Sequence, residues 1–157
     1  MADKVLELRG VRTYFSRHDG LWVKAVDGVS FSVSKGETVC MVGESGCGKS
    51  MTALSIMGLV PKPRGQIVGG EILLHDTDLT KLSDEDMCKV RGRKISMIFQ
   101  EPMTSLNPVK AVGVQVAEAL LTHTDVTKAD ALRRTIQMLE MVGIPRADKI
   151  VREYPHQ

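Results

Sequence analysis

Apolar and polar positions alternate over much of the first third of the chain. "VLELRGVRTYF" is rich in β-formers and alternates in part, which predicts a strand through Val5–Gly10, with "SRHDG" as the turn after it. "WVKAVDGVSFSVSKGE" predicts a second strand region, with Val29, Phe31 and Val33 on one face and Ser30, Ser32 and Ser34 on the other. Together they predict an antiparallel unit. "ETVCMVG" has a different character: its nearly continuous apolar run predicts a strand buried on both faces. "GQIVGGEILLHD" reads as a further strand region broken at Gly69 and Gly70, and "KISMIFQ" as a second strand of the buried type.

Helical patterns are interleaved. Lys49–Leu59 predicts a helix that ends before "VPKPRG". Ser83, three residues before Asp86, has the capping-box spacing that opens a short helix. "EPMTSLNP" is a loop bracketed by Pro102 and Pro108. Beyond it, Val112, Val116, Ala119 and Leu120 form one apolar stripe. Leu132, Ile136, Leu139 and Val142 form another, after a cap at Thr127 and Asp130 and before the stop at Gly143 and Pro145. Strands and helices therefore mix up to Gln100, and helices dominate from Val112 onward. This predicts a core over residues 1–100 and a helical part over residues 101–157.

Composition narrows the picture by exclusion. The 157 residues suit one domain of ordinary size, with 43% apolar and 25% charged residues. A net charge of +2 and an aromatic content of 4% give no support for nucleic acid as a partner. Cys40, Cys47 and Cys88 make no CxxC pair and no even framework, as expected of a reduced, intracellular protein. "MADKVLELRG" has no signal-peptide h-region, and no apolar run approaches the ~20 residues that span a bilayer. Any role at a membrane is expected to be peripheral. His18, His75, His123 and His156 are scattered without metal-ligand spacing.

The chemistry is concentrated in "GESGCGKS", which matches G-x-x-x-x-G-K-[ST] from Gly43 to Ser50. Glycines let successive backbone amides turn toward one anion, and the following helix adds its open N-terminal amides and positive dipole end. Gly43, Glu44, Ser45, Gly46, Cys47 and Gly48 are thus expected to wrap phosphate, mainly through backbone. Lys49 supplies a full charge to the β- and γ-phosphates, and Ser50 a hydroxyl to Mg²⁺. The predicted setting, a buried strand before the loop and a helix after it, is the one this motif needs. Cys47 reads as a spacer.

Many families share this loop. "IMGLVPKPRGQIVGGEILLHDTDLTKLS", "MIFQEPMTSLNP" and the terminal "YPHQ" narrow the choice, and with them the chain resembles the ATPase subunit of bacterial ABC transporters, nearest the oligopeptide and dipeptide importers. The resemblance implies an α/β P-loop NTPase core of the ABC ATPase type, incomplete, with an N-terminal antiparallel β unit and part of the helical subdomain. It implies ATP and Mg²⁺ as cofactors. Gln100 corresponds to the Q-loop glutamine, near the Mg²⁺ and the attacking water. Phe15 corresponds to the aromatic that stacks on adenine, with Tyr14 as its neighbouring competitor. Glu101–Pro108 resembles the segment beside the permease's coupling helix. The implied partners are permease subunits, a second ATPase subunit of the same or another kind and, indirectly, an extracytoplasmic solute-binding protein. The implied location is the cytoplasmic face of the cell membrane. Importers of nickel, glutathione or other small solutes use very similar subunits.

The resemblance also says what is missing. The family's signature motif would begin just after Gln157, and its acidic Mg²⁺-holding strand end, catalytic glutamate and switch histidine would follow. The chain therefore reads as an N-terminal fragment expected to bind nucleotide without hydrolysing it, with a non-hydrolysing nucleotide-binding or permease-docking module as the alternative. In the family's sheet the missing strands lie between "ETVCMVG" and "KISMIFQ", so the isolated chain is expected to be marginally stable and prone to aggregate.

Overall fold

β1 (Lys4–Ser16) and β2 (Trp22–Ser34) pair antiparallel across the turn at "SRHDG", as the alternation predicts. The computed structural model describes residues 3–100 and 105–157. β1 continues well past its predicted end at Gly10, because Gly10 is a bulge and not a stop. Gly10 (φ 57°) faces Gly70 (φ 85°), and the pairing jumps there from Arg9↔Glu71 to Arg12↔Gly69. A Cβ on Gly70 would stand 2.5 Å from the Gly10 carbonyl oxygen, so only glycine allows the two backbones this close. The break expected at Gly69 and Gly70 is this same bulge, inside a continuous β3 (Gly65–Leu74). With β4 (Thr77–Asp78), the sheet order is β2-β1-β3-β4.

The bulge resets which side chains point inward. Leu8 is buried before it, and Val11 and Thr13 after it, so the inward set moves from even to odd positions. On that inner face Leu8, Val11, Val26, Ile72 and Leu74 pack with Ile56 of α1 (Lys49–Ile56), Leu79, and Met87 and Val90 of α2 (Asp84–Val90). Each such side chain contributes roughly 1.5–3 kcal/mol by leaving water. α2 starts as the capping box predicts: Ser83 Oγ accepts from the Asp86 amide at 3.1 Å.

Two expected strands do not form. Residues 37–43 ("ETVCMVG") and 94–100 ("KISMIFQ") have no strand structure. Val39, Met41 and Val42 are exposed, and Ile98 is 99% exposed. A strand buried on both faces needs partners on its edges and layers on both sides. Among the described residues, no strand lies beside either segment, and their only ladder contact is an isolated bridge between Arg91 and Ile95.

The chain divides into two compact units, Met1–Met97 and Ile98–Gln157. The second contains α3 (Val112–His123), α4 (Lys128–Met141) and α5 (Ala147–Ile150). Thr127 caps α4 by accepting from the Asp130 amide at 3.2 Å. The buried faces are rotated from the predicted stripes. Gly113 and Ala117 of α3 and Ala131 and Thr135 of α4 are buried, whereas Leu132 and Val142 are exposed. Small residues let helices approach closely and displace the larger apolar ones to the flanks. Gly113 shows the constraint: a Cβ there would meet the Val151 carbonyl oxygen at 2.6 Å.

Candidate functional site

The Gly43–Ser50 loop leads directly into α1. Gly46 (φ 81°) and Gly48 (φ 95°) take left-handed conformations, and Gly48 is the N-cap residue of the helix. The first bond inside α1 runs from the Thr52 amide to the Gly48 oxygen at 2.8 Å, so the amides ahead of Thr52 have no partner within the helix. No side chain caps this end, and no acidic residue stands in its first turn. The Lys49 ammonium turns back into the loop, donating to the carbonyl oxygens of Gly43 and Glu44, both at 2.7 Å, with Cys47 Sγ at 3.5 Å. Open amides, a positive dipole end and one solvent-facing ammonium fit a polyphosphate. For a divalent cation, the loop offers side-chain oxygens at Glu44, Ser45 and Ser50. Among the described residues there is no cluster of three or more acidic, His or Cys side chains, so the cation would be shared with bound phosphate.

Three contacts that the sequence reading missed hold α1 in place. At its N-terminus, Gly48 lies against β2, where an added Cβ would be 2.4 Å from the Ala25 oxygen. In its last turn, Ser55 Oγ donates to the Met51 carbonyl at 2.7 Å and meets Thr13 Oγ1 of β1 at 2.8 Å. Both hydroxyls are buried, Thr13 at 0% and Ser55 at 1% exposure. At its C-terminus, Arg91 Nε donates to the Met57 oxygen at 2.7 Å and Nη2 to the Gly58 oxygen at 2.9 Å. A hint was available for Thr13 alone, a polar residue spaced by two from the apolar Val11 and Phe15 of β1. Nothing in the pattern pairs Arg91 with the end of α1.

Phe15 is half-buried, on the same face of β1 as Thr13. Its ring edge covers Gly65, where a Cβ would come within 2.6 Å of Phe15 Cε1 and of Val60 Cγ1. Tyr14 points to the opposite face and is engaged there. Its hydroxyl donates to Asp27 Oδ1 at 2.6 Å, its ring tilts at 54° against Trp22, and Lys24 Nζ lies 5.6 Å from its centroid. The hydrogen bond from Tyr14 holds the Asp27 carboxyl below its ordinary value and pushes the Tyr14 hydroxyl up. Gln100 belongs to the second unit, exposed at a bend. Of the segment Glu101–Pro108, residues 101–104 lie outside the described residues. Its remainder is tied to α3, where the Gln115 side chain accepts from the Asn107 amide at 2.7 Å and donates to the carbonyls of Asn107 and Lys110.

The first unit thus sets a glycine loop, and the helix that the loop starts, beneath an antiparallel sheet. The ABC transporter family profile matches residues 26–157, and the chain belongs to that family. It is 53% identical over 153 residues to the oligopeptide transport ATP-binding protein AppD of Bacillus subtilis, covering 98% of this chain and 46% of that protein. It is 48% identical over 155 residues to the dipeptide transport ATP-binding protein DppD of the same organism, covering 99% of this chain and 46% of that one. The chain thus spans about half the length of the curated relatives it matches. The fold is that of ABC ATPase cassettes, with an antiparallel sheet beside helices. A dimeric ATP-binding cassette solved in a post-hydrolysis state with ADP and Pi superposes with a TM-score of 0.82 at 22% identity, covering 97% of this chain and 62% of that one. Among the described residues, no helix is long and apolar enough to cross a membrane.

Proposed function

We propose that this chain carries the nucleotide-binding half of an ATPase subunit that drives uptake of di- or oligopeptides. The observation that carries the reading is the loop itself: an uncapped helix N-terminus, two left-handed glycines, and Lys49 poised on the carbonyls of Gly43 and Glu44. ATP is the ligand. Residues 43–50 would hold its phosphates, the Ser50 hydroxyl would serve as a ligand to Mg²⁺, and Phe15 would offer its ring face to the adenine. Stacking of that kind is worth ~1–3 kcal/mol. Bound ATP supplies the phosphoryl group whose transfer to water powers transport. Lys49 and the loop amides hold and orient that group. A general base and an acidic ligand to Mg²⁺ are needed as well, and none of this chain's motifs supplies them, so these 157 residues bind ATP without turning it over.

The peptide assignment is supported by the relatives, which are named as oligopeptide and dipeptide transport proteins. In the whole protein this unit would pair with a second ATPase subunit. It would dock on permease subunits at the cytoplasmic face of the membrane and act with an extracytoplasmic solute-binding protein. The test is calorimetric titration of Mg-ATP and of tripolyphosphate into the chain and its Lys49→Ala variant. Lys49→Ala should lose measurable binding of both ligands. Unchanged affinity in the variant would refute the loop assignment.

A further inference from the structure

The two hydroxyls beneath α1 form a directed chain. A serine hydroxyl has a single proton to give. Ser55 gives its proton to the Met51 carbonyl, one turn back along α1, so Thr13 must be the donor in the contact between the two hydroxyls. The chain then runs from Thr13 Oγ1 to Ser55 Oγ to the Met51 carbonyl. Its ends matter. Met51 directly follows Ser50, the last residue of the phosphate loop. Thr13 lies two residues before Phe15 on the same face of β1, about 7 Å along the strand. Both hydroxyls are fully enclosed, so water cannot replace either partner.

We propose that Thr13 and Ser55 are positioning residues that hold the base platform on β1 in register with the phosphate cradle at the start of α1. The inference rests on the nucleotide reading of that loop. ATP bridges the two elements and gains from both only if their separation is preset. Removing the relay should therefore weaken the combined grip on base and phosphates while leaving the grip on phosphates alone intact. Tripolyphosphate, which has no base, is the control ligand.

The experiment titrates ATP and tripolyphosphate into the 157-residue chain carrying Thr13→Val, Thr13→Ser or Ser55→Ala. Valine keeps the shape of threonine and loses the donor. In T13V the ratio of ATP to tripolyphosphate affinity should fall about fivefold, the net worth of one hydrogen bond, with tripolyphosphate unchanged. S55A should lower the same ratio, and T13S should restore it. A role confined to general stability would shift the unfolding midpoint and leave the ratio alone, and that result would overturn the proposal, as would equal weakening of both ligands. The Lys49→Ala arm separates the two readings. If K49A still binds tripolyphosphate, the loop assignment fails. If K49A loses it and the T13V ratio is unchanged, only the relay fails.

Discussion

Gly48→Ala tests whether the loop is built by contact or by conformational freedom alone. The added methyl meets two penalties. Gly48 sits at φ 95°, in the left-handed region, where a Cβ costs about 1–2 kcal/mol. The Cβ would also lie 2.4 Å from the Ala25 oxygen and 3.5 Å from its carbonyl carbon, so β2 or α1 has to shift. Forcing an atom into packed structure costs about 1–3 kcal/mol more. The sum is about 2–5 kcal/mol, a large share of the ~5–15 kcal/mol that holds a domain folded. Gly46→Ala isolates the first penalty, because Gly46 has φ 81° with nothing within 4 Å of its Cβ position. Gly43→Ala has neither penalty in full. Its Cβ would meet only the Cys47 side chain, Sγ at 2.7 Å and Cβ at an ordinary 3.9 Å, and the sulfur can swing aside, leaving a change within about 1 kcal/mol of zero. Urea denaturation followed by far-UV circular dichroism should rank stability as G43A, then G46A, then G48A. The gap between the last two should be about 1–3 kcal/mol, the cost of the clash. A G48A variant as stable as G46A would refute the close approach of the loop to β2.

Two further predictions concern the scaffold. Arg91→Ala removes two charged hydrogen bonds from the last carbonyls of α1 and should cost about 2 kcal/mol, read as a thermal midpoint lower by several degrees. Arg91→Lys should recover only part of this, since an ammonium lacks the planar fork that spans Met57 and Gly58, and full recovery would contradict that geometry. Asp78 gives a pH prediction: burial pushes its carboxyl up, but hydrogen bonds from Lys81, Thr80 and the Ile72 amide hold it below its ordinary value. A depressed folded pKa adds stability that is present above the unfolded value, near ~3.9, and is lost as pH falls through the folded one. The stability gap between the native chain and Asp78→Asn should therefore narrow below about pH 4, and a gap unchanged between urea midpoints at pH 7 and pH 3 would contradict it.

Much of this protein is written locally. Loop chemistry needs only a few consecutive residues, so Gly43–Ser50 and the helix after it are legible, as are the caps at Ser83 and Thr127 and the antiparallel pairing of β1 with β2. A glycine loop, a cap and a hairpin are each closed by neighbours in the chain. What the pattern could not decide depends on residues far apart in sequence. The Gly10–Gly70 bulge moves the inward face of β1 from even to odd positions, which puts Thr13 and Phe15 on one side and Tyr14 on the other. The burial of Ala131 and Thr135 in place of Leu132 follows from how closely two helices approach, a property of the pair and not of either stripe. The apolar runs 37–43 and 94–100 carry strand signals yet form no strand, because β-structure exists only where a second strand completes its hydrogen bonds. Sequence thus determined where the glycine loop ends and its helix starts, and tertiary structure decided which distant backbone and hydroxyl groups hold that loop in place.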